Sequence, residues 1–314
     1  MKREREHRQL PLVHESTDFH HSIKEKLAGR YEGKQLENFK KCGMELIVRR
    51  CNSCKLQEKL EYRCNLKWCP RCQWRLADAR KLFVERYAGF IEQPKHLVLT
   101  QKNCEVLTRK KMRENQIAMA ELRRRICFEK VRGGCASVEV TWNPKGAVVN
   151  GHVCAGGFHI HSHWLISASW VDIQEVKLAW ADLIGQDFAI CEIYDAREED
   201  YVKELCKYVV EGSEIAGWPA EVISQFVHAV RGVRCFFTFG NLRKLAKQIR
   251  AEIAKDEARI HLCECGSTDC KVSMLAENLG EEEKMHREAK QFFKAEKAWR
   301  NSKHKAVKKM RELF

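Results

Sequence analysis

The sequence predicts an α+β fold in which one antiparallel sheet is covered by helices on one face. Three observations predict it. Short β-rich stretches with period-two alternation recur between residues 95 and 239, segments of helical spacing separate them, and the order runs strand, helix, two strands, helix, strand, helix. That is the order of a split βαβ sandwich. Four regions follow from composition: a polar N-terminal arm (1–40), a Cys-rich module with its following helix (41–92), the sheet domain (93–250) and a basic helical C-terminal region (251–314).

The elements can be justified in order. Residues 73–92 carry Leu76, Leu82, Phe83 and Tyr87 at helical spacing. "KHLVLT" (95–100) reads as a strand, and 106–130 as a long amphipathic helix through Met112, Ile117, Leu122 and Ile126. "CASVEVTW" (135–142) and "FHIHSHWLI" (158–166) alternate as strands across a Gly-rich connection. Helices at 172–184, 198–211 and 219–229 and strands at "FAICEIY" and "RCFFTF" complete the domain. The C-terminal stretch 284–314 is basic, with Phe292, Trp299, Met310 and Leu313 spaced for one helix face.

A net charge of +14 points to a polyanionic partner, most often nucleic acid. No apolar run approaches the roughly 18 residues of a membrane span, and the N-terminus "MKREREHRQLPLV" lacks the apolar core of a secretory signal. The expectation is a cytoplasmic protein with no membrane partner. In that compartment sixteen cysteines do not suggest a disulfide framework, so the clustered ones point to metal. Isolated ones (Cys127, Cys135, Cys154, Cys191, Cys206, Cys235) read as small core hydrophobes.

"CNSCKLQEKLEYRCNLKWCPRC" places Cys51-x2-Cys54 and Cys69-x2-Cys72 fourteen residues apart. Two such pairs supply four thiolates to a tetrahedral, structural Zn²⁺. Cys42 and Cys64 lie close enough to replace a member, with Cys64 the named substitute. His261, Cys263, Cys265 and Cys270 form a second candidate metal cluster.

His159, His161 and His163 share one face of a strand, with same-face neighbours roughly 7 Å apart. His161-Ser-His163 runs into Trp-Leu-Ile, which buries the strand and fixes the rings, so His161 and His163 are the expected ligands with His159 flanking. Glu139 faces them if the two strands pair, and a divalent ion would give its acidic side chain a partner. Glu204 and Tyr208 stand four apart on one helix face. A tyrosine beside a divalent ion can attack a phosphodiester, and a nearby carboxylate can activate water.

Taken in order, "RCNLKWCPRCQWR", "HLVLTQKN", "GGCASVEVTWN", "FHIHSHWLI", "ELCKYVVEGSE" and "RGVRCFFTFGNLRK" resemble the motifs of rolling-circle plasmid replication initiators with a single catalytic tyrosine. These belong to the HUH (His-hydrophobe-His) endonuclease superfamily, and the resemblance spans roughly residues 42–245. It implies a palm-like, ferredoxin-type HUH domain with Tyr208 as nucleophile and Glu204 as the glutamate of termination. It also implies His161, His163 and Glu139 as Mg²⁺ or Mn²⁺ ligands. The implied activity is nicking of the plus-strand origin, leaving a 5′-phosphotyrosyl link and a 3′-OH primer. Origin DNA, single-stranded or in a hairpin, is the implied partner, with host helicase and polymerase machinery and a homo-oligomer also compatible. Ser162 departs from the pattern, being polar where a hydrophobe is usual, and Glu211 stands where lysine is common. An HUH transposase or phage initiator would share this chemistry. A zinc-bearing DNA-binding regulator would leave the histidine strand without a purpose.

Overall fold

The computed structural model describes residues 13–44, 46–149, 152–196, 205–206, 212–260, 265, 267 and 269–274. The described residues divide into two compact units, each assembled from separated stretches of chain: Met1–Gly33 with Asn65–Ala246, and Lys34–Cys64 with Lys247–Phe314.

The first unit is built on a five-stranded antiparallel sheet. Its strands are β3 (Pro94–Thr100), β4 (Gly133–Asn143), β7 (Gly157–Ser167), β8 (Cys191–Asp195) and β9 (Phe236–Gly240), in the order β8-β3-β7-β4-β9. β5 (Val148–Val149) and β6 (His152–Val153) form a small ribbon between β4 and β7. The antiparallel sheet expected from the order of elements is therefore present, with the histidine strand at its centre.

Alternation divides the two faces. Leu97, Leu99, Val138, Ile160 and Trp164 are buried on one face. There Trp164 meets Phe128, Phe237 and Phe239 edge-on at 5.9, 5.9 and 5.4 Å between ring centroids. α4 (Arg109–Leu122) and α5 (Ile173–Ile184) lie against each other, and Trp180 of α5 donates from Nε1 to the Thr100 carbonyl at 2.8 Å. Ser162 has a reason for its polarity: buried on this face, its Oγ accepts from Trp164 Nε1 at 2.9 Å.

Helix ends follow local chemistry. Thr108 caps α4, its side chain accepting from Lys111 N, and Asp172 caps α5 on Gln174 N and Glu175 N. Gly185 closes α5 in the left-handed conformation at φ 63°. α3 (Pro70–Ala88) starts with proline in its first turn, where the missing N–H costs nothing.

Two expectations need correction, while the N-terminal segment holds a helix, an alternative that its polar sequence leaves open. The helix expected over 106–130 stops at Leu122, and a 3₁₀ turn at Ile126–Phe128 swings Phe128 onto Trp164. Core contact overrides the continuing apolar spacing. Helices do not keep to one face: Phe83 of α3 meets Phe236 edge-on at 5.7 Å, and Phe236 pairs with Ser137 on the histidine face. The N-terminal arm also contains a docked helix, α1 (Val13–Leu27), with Ile23 and Leu27 fully buried. Its Lys26 Nζ donates to the carbonyls of Ala216 (2.6 Å) and Trp218 (2.9 Å) at the end of α6 (Gly212–Gly217).

The second unit contains α2 (Lys34–Lys41) and a three-stranded antiparallel sheet in the order β10-β1-β2. Its strands are β1 (Leu46–Cys51), β2 (Gln57–Glu61) and β10 (Cys270–Met274). α7 (Ala220–Val230) belongs to the first unit, and α8 (Arg243–Ile260) leads from it towards β10 in sequence. Among the described residues no helix is long and apolar enough to cross a membrane.

Candidate metal centre

β4 and β7 pair so that Glu139 stands directly opposite His161, Ser137 opposite His163 and Thr141 opposite His159. Directly opposed residues point to the same side of a sheet, so the strand pairing delivers Glu139 to the histidine face, as the sequence leads one to expect. The start of β7 depends on close backbone approach. Gly157 (φ +94°) lies where a Cβ would come within 2.6 Å of the Cys104 carbonyl oxygen, and Phe158 and Cys104 exchange backbone hydrogen bonds at 2.7 and 2.8 Å.

His161 Nε2 donates to Glu139 Oε2 at 2.8 Å, and His163 Nε2 lies 3.7 Å from the same oxygen. One ligand atom from each of the three residues falls within 4.8 Å of the others. Glu139 and His163 side chains are 8 % exposed and His161 16 %, so the carboxylate is held out of bulk water and must be compensated. Nδ1 of His161 is buried with no hydrogen-bond partner among the described residues. Its ring therefore keeps bonding capacity that the protein does not use. Two imidazoles and one carboxylate form a mixed N/O donor set that could hold a divalent metal ion.

The neighbours orient these rings. His163 Nδ1 and His96 Nε2 share a hydrogen bond of 3.2 Å inside the sheet, with the rings stacked at 5.4 Å, which directs His163 Nε2 towards Glu139. A hydrogen bond of this kind holds an imidazole in one tautomer and one orientation. His159 Nδ1 is bonded to Asn103 Oδ1 at 2.9 Å. Burial first, then the neighbouring His161, pushes the His159 pKa down to about 4, so its ring stays neutral at physiological pH. His159 is thus engaged elsewhere, consistent with a flanking position.

His96 and Asn103 were not singled out from the sequence. A signal for His96 exists: it alternates with Val98 and Thr100 in "KHLVLT", which pair with His163 and His161. That signal becomes readable only once the register is known. Glu204, Tyr208 and Glu211 lie outside the described residues, while Leu205 and Cys206 between them are buried and helical.

The cysteines are placed unit by unit. In the second unit Cys51, Cys54 and Cys265 present sulfurs within 4.8 Å of one another. There too the Cys64 N–H donates to Cys42 Sγ at 3.4 Å. In the first unit Cys69 and Cys72 are both buried where α3 begins, with Cys72 N bonded to the Cys69 carbonyl at 3.0 Å. Cys270 opens β10, and His261 and Cys263 lie outside the described residues. Burial pushes the isolated Cys191 thiol up to about 12 and raises Cys235 as well, in keeping with core packing.

A family model described as a replication protein (Rep_1) matches residues 55–274, a span that contains the Glu139, His161 and His163 strands. Neither a curated protein nor a solved structure matches the chain.

Proposed function

The chain belongs to the Rep_1 replication protein family, and from that premise we propose that it is a rolling-circle initiator that nicks origin DNA through Tyr208. The observation that carries this reading is Glu139 buried between His161 and His163, with its Oε2 2.8 and 3.7 Å from their Nε2 atoms. A structural triad of this kind on a central strand has no packing purpose that apolar residues would not serve better.

His161, His163 and Glu139 would hold Mg²⁺ or Mn²⁺. Such an ion, when bound, supplies positive charge to a scissile phosphate and offsets the negative charge of the transition state. The remaining steps belong to the chain. His96 fixes the His163 ring. Tyr208 Oη loses its proton and attacks the phosphorus in line. A tyrosyl–phosphate ester forms at the 5′ side, the bond to the 3′ oxygen breaks, and that oxygen takes up a proton as a 3′-OH from which a polymerase can extend. Glu204, four residues earlier in sequence, later removes a proton from water so that the regenerated junction is hydrolysed without a second tyrosine. The resemblance to rolling-circle initiators makes single-stranded DNA or an extruded hairpin the expected substrate. A structural zinc in the Cys-rich module belongs to the same reading.

The test is a single-stranded origin oligonucleotide incubated with Mn²⁺ and run on a denaturing protein gel. A protein-linked band that needs metal, persists in Glu204→Gln and disappears in Tyr208→Phe is the expected result. Cleavage by Tyr208→Phe without an adduct would instead establish a water-based nuclease.

A further inference from the structure

We propose that Cys51, Cys54 and Cys265 bind one zinc ion that ties the chain's C-terminal strand β10 to the turn between β1 and β2. In this proposal Cys51 and Cys54 share their ion with Cys265 rather than with Cys69 and Cys72.

The geometry fits a metal site and not a disulfide. Cys51 Sγ and Cys265 Sγ are 3.7 Å apart, across 214 residues of sequence. Two thiolates at about 2.3 Å from one tetrahedral zinc stand about 3.8 Å apart, whereas a disulfide requires about 2.05 Å. The sulfur of Cys54 falls in the same group, all within 4.8 Å.

The two turns that carry these sulfurs are fitted to each other independently of them. Asn52 N donates to the Asp269 carbonyl at 2.8 Å, Asn52 Nδ2 to Asp269 Oδ1 at 2.9 Å, and Ser53 Oγ to Ser267 Oγ at 2.9 Å. Within the first turn, Cys51 N bonds to the Leu56 carbonyl (2.9 Å) and Lys55 N to the Cys51 carbonyl (3.0 Å). Lys55 sits in the left-handed region at φ 64°. A non-glycine residue there is strained, yet it folds Cys54 back beside Cys51, as a two-thiolate turn demands. The sheet that the ion would close has strands of six, five and five residues, and β2 reads Gln-Glu-Lys-Leu-Glu. A metal clip would add a cross-link between segments of this short sheet that lie 214 residues apart in sequence.

Tetrahedral coordination needs a fourth donor. Cys270 stands opposite Cys51 in the β1–β10 register, and Cys263 precedes Cys265 by two positions in sequence.

The experiment measures zinc per chain in the full-length protein and in Cys51→Ser, Cys265→Ser and the double variant. Cobalt-reconstituted protein gives the thiolate-to-metal charge-transfer band as a second readout. Each single variant should lose the same one equivalent, and the double variant should lose no more. Cys265→His, which keeps a zinc-binding side chain, should retain that equivalent with a weaker charge-transfer band, separating ligand loss from unfolding. Full zinc content in Cys265→Ser would overturn the proposal. So would losses that sum to two equivalents in the double variant, or a pair of thiols consumed as a disulfide in protein purified without reductant. The activity of the histidine face is not used, so failure here and failure of the nicking assignment are distinguishable.

Discussion

At the scale of single residues, Glu139 and His96 have separable duties. In the proposed reading Glu139 supplies charge and an oxygen to the centre, so Glu139→Gln keeps the shape and removes the ionic part. Its metal-dependent nicking should fall by more than the about 10–100-fold typical of changes behind the ligands. His96 touches His163 through the 3.2 Å bond to Nδ1. His96→Ala should therefore weaken Mn²⁺ affinity by about 10–100-fold, visible as a right-shifted Mn²⁺ titration of nicking with activity recovered at saturating metal. Recovery is the mark of positioning; a merely structural loss would not reverse with metal. Cys191 offers a test by pH. Burial disfavours its thiolate and lifts its pKa to about 12, so at pH 8 only about 10⁻⁴ of it is reactive. Mass spectrometry after iodoacetamide should find Cys191 unmodified in the native protein and alkylated in denaturant.

At the scale of elements, β7 carries opposite demands on its two faces. Trp164 on the core face is fully buried among Phe128, Phe237 and Phe239, and Trp164→Ala should cost about 3–5 kcal/mol in a urea unfolding series. Asp172 caps α5 through two backbone N–H groups, and Asp172→Ala should cost only about 1 kcal/mol. A reversal of that order would mean that α5, not the central strand, dominates the cooperative core. The elements also explain where sequence patterns mislead. Apolar spacing continues past Leu122, yet Arg125 turns outward to Asp182 at 2.7 Å and Phe128 turns inward to Trp164. A helical period describes one face of a helix and contains no instruction about where the core ends it.

At the scale of the whole molecule, a net charge of +14 makes DNA affinity a salt-dependent quantity. For single strands, log affinity should fall with log salt by about 0.7 per phosphate neutralised; a fluorescence anisotropy series between 50 and 200 mM salt reads that number. A flat series would place the charge away from the DNA. What the sequence determined by itself is local: the period-two histidine face, the strands of the sheet in their order, and the polyanion partner implied by charge. These are legible because alternation and composition act within a few residues. Only tertiary structure decided that Glu139 stands opposite His161, that His96 holds His163, and that Cys265 comes to Cys51 across 214 residues. Strand register and sheet order arise from burying side chains contributed by distant segments, a non-local free energy that no window of one sequence contains.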